Sequence, residues 1–209
     1  MAIHDDRAPE GAPHSDQDRV ETVPVWDLFV RIGHWLLVAG IVVAYMSTED
    51  TGDLHEWSGY LVLGLTVFRI LWGFIGSRHA RFRSFIAGPR ALFAYVGDLL
   101  KGRPRRSLGH NPLAGAMIIA MLAALFVTGA TGYMMETDTF YESEWIDELH
   151  AVGAQACLVL IAIHVLEVLV TSYLTRENLV KGMITGRKAV RVAADREVHR
   201  EAGSRPLDD

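Results

Sequence analysis

Four apolar blocks decide what this chain can fold into. They occupy residues 28–47, 57–76, 112–135 and 151–173, and the segments between them are polar or charged. Each block holds the ~20 residues that a helix rising 1.5 Å per residue needs to cross a hydrocarbon core of about 30 Å. A soluble helix carries an apolar stripe on one face. These blocks are apolar all round, which suits lipid. The expectation is an all-α integral membrane four-helix bundle.

The flanks differ from the blocks. Residues 1–24 are acidic, contain Pro and Gly, and show neither an apolar core nor a cleavage-like site. They read as a disordered cytoplasmic tail and not as a signal peptide. Residues 25–175 read as the spanning domain, and residues 176–209 as a basic cytoplasmic helix, over 175–198, followed by a tail. Cys157 is the only cysteine, so the chain has no internal disulfide, no cysteine-based zinc site and no C-x-x-C-H for covalent haem attachment.

Charge sets the orientation. None of the 20 Lys and Arg residues falls in 48–56 or 136–148, whereas those loops carry Glu49, Asp50, Asp53, Glu56, Glu136, Asp138, Glu142, Glu144, Asp147 and Glu148. The loop between the second and third blocks holds Arg78, Arg81, Arg83, Arg90, Lys101, Arg103, Arg105 and Arg106 against the single acid Asp98. Positive residues stay on the cytoplasmic side, so both termini and the middle loop are expected inside and the two acidic loops outside. The middle loop mixes its arginines with Phe82, Phe85, Ile86, Leu92, Phe93, Tyr95 and Val96, the pattern of a short amphipathic helix on an anionic leaflet. A short interfacial helix is expected over residues 140–149. The third block carries Gly115, Gly129 and Gly132 and no ionisable residue, as a packing helix does.

Histidines carry the chemistry. The run HAVGAQACLVLIAIHVLE spans residues 150–167, with His150 and His164 14 positions apart. On a helix that interval places both rings on one face, about 21 Å apart along the axis. His34 lies 13 residues inward from Ser47, and His55 opens the second block. Sorted by depth, the four make two level pairs: His55 with His150 near the outer surface, and His34 with His164 near the inner one. Taken singly, each also fits an ordinary role, at the membrane surface or hydrogen-bonded in a core. Taken as pairs on different helices, they are the ligand set of two six-coordinate b-type haems. Gly59, one turn below His55, leaves room for a flat ligand. Arg31 and Arg69 lie toward the inner side, where Arg69 either snorkels to headgroups or pairs with an anion such as a haem propionate. His4, His14, His79, His110 and His199 fall in tails and loops. Zinc requires about four compact ligands, more than each level offers. With Glu167 beside His164 and Glu56 beside His55, a haem-free metal or proton transporter stays open as the alternative.

The runs VWDLFVRIGHW, LHEWSGYLVLGLTVFRILWGFIGSRHARF, GHNPLAGAM and ELHAVGAQACLVLIAIHVLEVLVTSYLTRENLVKGMITGRK resemble the bacterial cytochrome b561 family, which groups with the b-type cytochrome subunits of nickel–iron hydrogenases. The resemblance covers roughly residues 22–190. It implies two non-covalent haem b groups with axial ligands at His34, His55, His150 and His164, and a place in the bacterial inner membrane. The implied work is electron transfer between a quinone, ubiquinone or menaquinone, and a redox partner protein such as a cytochrome c or a dehydrogenase- or hydrogenase-type subunit. No nucleic acid is implied. Some members of the family are oxidoreductases that take electrons from superoxide to quinone; the lack of Lys and Arg in the outer loops weighs against a funnel for that anion.

Overall fold

The computed structural model describes residues 20–48, 52–77, 80–84, 86–101 and 111–191. The acidic segment 1–19, the tail beyond residue 191, and His4, His14, His79, His110 and His199 lie outside the described residues. Four long helices carry the apolar blocks: α1 (Leu28–Met46), α2 (Gly52–Ile75), α4 (Pro112–Met135) and α5 (Glu144–Thr175), each long and apolar enough to cross a membrane. Between α2 and α4 come a 3-10 turn (Phe82–Ser84) and the surface helix α3 (Pro89–Leu100). A short α6 (Leu179–Thr185) follows α5.

Local chemistry sets where these helices start. Asp27 caps α1, its Oδ1 accepting the Val30 N–H at 2.8 Å. Asn111 caps α4 by accepting the Ala114 N–H at 2.7 Å, with Pro112 in the first turn, where its missing N–H costs nothing. Asn178 caps α6 through the Lys181 N–H, also at 2.7 Å.

Four expectations from the sequence need correction. The second span begins earlier than residue 57: α2 starts at Gly52, so His55 lies inside its first turns, with Asp53 favourably placed at the positive helix end. Residues 140–149 do not make a helix of their own. Turns run to Glu142, and α5 then continues unbroken for 32 residues, because no Gly or Pro interrupts Glu144 to His150 and two acids sit in its first turn. The helix expected over 175–198 stops at Thr175, where Arg176 turns left-handed (φ 54°); α6 ends in turn at Gly186 (φ 78°). Beyond it Arg187–Arg191 (β2) is a strand, and so is Val20–Pro24 (β1), which the composition had assigned to the disordered tail; the two pair in a two-stranded sheet. Backbone hydrogen bonding accounts for both, since a ladder needs partners and not a particular composition.

Residues 24–187 form one compact unit. Within it α1 packs on α2, α2 on α4, α4 on α5, and α3 lies against α4. Small residues set the close approaches. A Cβ at Gly40 would stand 2.9 Å from Val62, one at Gly129 3.0 Å from Leu63, and one at Gly153 2.5 Å from the Thr128 hydroxyl. At mid-depth Val62, Leu125 and Cys157 form the buried core, joined by Leu37, Ile41 and Ala124. Cys157 is midway between His150 and His164 along α5, so this plug separates the two histidine levels. Most other apolar side chains face outward, among them Leu61, Leu71, Phe74, Val159, Leu166 and Leu169, as a lipid-facing surface requires.

Candidate functional site

The outer level is built by four helices. His55 on α2 and His150 on α5 face each other with ring centres 6.1 Å apart and planes at 74°. The Nδ1 of His55 is 2.8 Å from the carbonyl oxygen of Ala44 on α1, and the Nδ1 of His150 is 2.9 Å from that of Thr128 on α4. A carbonyl only accepts, so each Nδ1 carries the proton and donates it. In the neutral ring, Nε2 is then the nitrogen whose lone pair is available. Gly132 makes the arrangement fit on α4: a Cβ there would lie 3.0 Å from Cε1 of His150.

The inner level joins α1 and α5. His34 on α1 is placed close to His164 on α5, and the Nδ1 of each is buried without a hydrogen-bond partner. His34 also sits edge-on to Trp35, ring centres 5.1 Å apart. Among the described residues no extensive backbone packing joins α1 to α5 or α2 to α5, so the histidines meet through their side chains. One turn from His55 on the same face of α2, a Cβ at Gly59 would meet nothing within 4 Å.

The arginines divide. Arg31 is spent in part on the protein itself, its Nη2 donating to the carbonyl of Ile184, while its Nε is buried without a partner. Arg69 lies over the Phe82 ring, 5.7 Å from its centre, with Nη1 buried and unpartnered. Glu167 is not free to complete a metal site. It is 6 % exposed, and its Oε1 accepts from Asn111 Nδ2 at 2.9 Å and Thr171 Oγ1 at 3.2 Å. Among the described residues no group of three or more His, Cys, Asp or Glu stands ready for a metal ion.

Comparison with known proteins bears on what these histidines hold. Residues 25–186 match the family described as prokaryotic cytochrome b561. The chain belongs to that family. The chain is 26% identical to a probable Ni/Fe-hydrogenase B-type cytochrome subunit of Rhodobacter capsulatus, over 81% of this chain and 82% of that protein. Proteins of the same description from Rhizobium leguminosarum bv. viciae (22%, covering 94% of this chain and all of the relative) and Bradyrhizobium diazoefficiens (25%, covering 81% and 87%) are also similar. No solved structure matches. This cytochrome b561 family member is thus a multi-pass helical membrane protein of electron transfer, with haem b as its implied prosthetic group.

The residues fit that group. Two imidazoles on opposite sides of one metal, each nitrogen about 2 Å from it, place their ring centres roughly 6 Å apart, which matches the 6.1 Å at the outer level. The Nδ1–H bonds to Ala44 and Thr128 also fix the tautomer such ligation needs. Sequence reading missed both acceptors. They are backbone carbonyls, and any residue at 44 or 128 supplies one. Asp27 was missed as well: its Oδ2 accepts from the Ser77 hydroxyl and from Trp72 Nε1, tying the start of α1 to the end of α2.

Proposed function

We propose that this chain holds two non-covalent haem b groups, one between His55 and His150 and one between His34 and His164, and carries electrons across the bilayer between a quinone and a redox partner. The observation that carries the reading is the outer pair: two imidazoles facing each other with ring centres 6.1 Å apart, each with its Nδ1 already committed to a carbonyl. Haem b, when bound, would supply one-electron chemistry, and the two histidine pairs are the residues that would hold it. The chain's own part is to orient four imidazoles, to shield them from water and to place charge near them.

Because α5 is unbroken from His150 to His164, the two levels are separated along it by 14 residues, about 21 Å. The Val62, Leu125 and Cys157 plug fills the space between them with apolar side chains. At the inner level the unpartnered Nη1 of Arg69 and Nε of Arg31 are donors suited to a carboxylate, the role a haem propionate fills. The positive-inside distribution supports an inner pair facing the cytoplasm, with both termini on that side. The relatives named as Ni/Fe-hydrogenase subunits support a hydrogenase-type redox protein as partner.

The test is haem stoichiometry by reduced-minus-oxidised visible spectra and pyridine haemochrome assay of the purified chain. Two b haems per chain are expected. Alanine at His55 or His150 should remove one of them, and alanine at His34 or His164 the other. One haem per chain, or four variants that do not fall into these two pairs, would overturn the reading.

A further inference from the structure

We infer that α4, which contributes no imidazole, tunes the outer site through the hydroxyl of Thr131, a positioning residue that acts on His150 over a shelf provided by Gly132. The inference rests on His150 being an iron ligand, as argued above.

His150 has two oxygens around its Nδ1: the Thr128 carbonyl at 2.9 Å and Thr131 Oγ1 at 3.4 Å. The Thr131 hydroxyl has one proton, and a carbonyl of its own helix takes it: Val127 O is 2.8 Å away and Thr128 O 3.0 Å. With that proton directed to Val127, the lone pairs of Oγ1 are left facing the ring, so the His150 N–H is shared between two acceptors. Thr131 is only 4 % exposed, and bulk water does not compete for the contact. The ring comes this close only because residue 132 is glycine. A Cβ there would stand 3.0 Å from Cε1 and 3.3 Å from Nδ1, and the imidazole would have to tilt away from Thr128 and Thr131.

The two outer ligands are therefore unequal. His55 donates to the Ala44 carbonyl at 2.8 Å, whereas His150 donates to a carbonyl with a hydroxyl oxygen beside it. An acceptor on the far ring nitrogen makes the near one a stronger electron donor, and stronger donation favours the oxidised metal. Thr131 thus lowers the potential of the outer site, and α4 becomes its adjusting element.

The experiment uses the full chain with its haems in detergent or nanodiscs. Redox titration reads both potentials, and low-temperature electron paramagnetic resonance reads the ligand geometry. Thr131→Val keeps the shape but removes the acceptor. It should raise the outer potential, by about two- to fivefold in the reduced-to-oxidised ratio at a fixed applied potential, the size expected for one weak hydrogen bond. Thr131→Ser should restore the wild-type value. Thr66→Val is the control: this buried hydroxyl bonds back to Val62 O at 2.7 Å in the same manner, without an imidazole partner, so both potentials should hold. Gly132→Ala should change the g-values of the outer haem alone. A Thr131→Val protein with wild-type potentials, or a Gly132→Ala protein with wild-type g-values, overturns the proposal. If instead His150→Ala keeps both haems, the ligand assignment itself fails, and the Thr131 proposal with it.

Discussion

Asp27 shows how one carboxylate just outside the first span can hold two helices. Its Oδ1 caps α1 through Val30 N–H, and its Oδ2 accepts from Ser77 and from Trp72 near the end of α2. Burial alone raises its pKa, but the hydrogen bonds from the Ser77 hydroxyl, the Val30 N–H, the Trp72 indole and the Phe29 N–H outweigh burial and hold it below the ordinary 3.8. A carboxylate whose folded-state pKa is depressed adds stability that is fully present above the unfolded value and is lost as pH falls through the folded one. Asp27→Asn keeps an oxygen for the cap but gives Ser77 and Trp72 an NH2 that cannot accept. The variant should therefore unfold more readily than wild type at pH 7, by about 1 kcal/mol in a denaturant or thermal series. The gap should narrow as pH drops below 3.8; a gap that holds constant from pH 7 to pH 3 would remove the charge from this account. In the sequence nothing singles Asp27 out from the other acids near the span ends. Its partners at 72 and 77 are distant in the chain, and nothing local announces them.

At the scale of elements, the four spans were legible because lipid demands one property, continuous apolarity over a fixed length, and residues 28–47 and 112–135 meet it without ambiguity. That His55 and His150 face each other was legible for a related reason: depth in a membrane helix can be counted. Helix ends were less legible, because they depend on caps and backbone turns and not on composition. α5 runs outward to Glu144 through residues that look interfacial, and the last helix stops short at Gly186. That glycine ties a local knot. Its carbonyl accepts from Val25 N–H at 2.9 Å and Trp26 N–H at 3.2 Å, and a Cβ on it would stand 2.9 Å from both Trp26 O and Arg31 Nη1. With φ at 78°, Gly186→Ala meets both a backbone penalty and a clash. It should cost about 1–3 kcal/mol in thermal unfolding. It should also loosen the bond from Arg31 to Ile184, which lies beside the turn. An alanine variant as stable as wild type would show that the turn adopts another conformation.

For the whole molecule, the charge asymmetry between its two ends biases the two proposed haem sites against each other. Arg31 and Arg69 lie toward the inner pair, with the Nη1 of Arg69 buried away from water. The outer pair has Asp53 and Glu56 near the start of α2, Glu136 just after α4, and Glu144, Asp147 and Glu148 at the start of α5; all but the half-buried Glu56 are exposed. Positive charge favours the reduced form, so the inner site should have the higher potential and the outer the lower. The two fields differ in how far salt can reach them. Exposed carboxylates are screened over about 10 Å at 0.1 M ionic strength, whereas a buried guanidinium is screened much less. Raising salt from low ionic strength to about 0.5 M should therefore lift the outer potential while leaving the inner nearly fixed, narrowing the gap between them. Arg69→Ala should lower the inner potential alone, and its effect should persist at high salt. Redox titrations of the His150→Ala and His34→Ala proteins, each retaining one haem, assign the two values. An outer potential above the inner one at low salt would mean that the surface charges orient the protein without setting its redox direction.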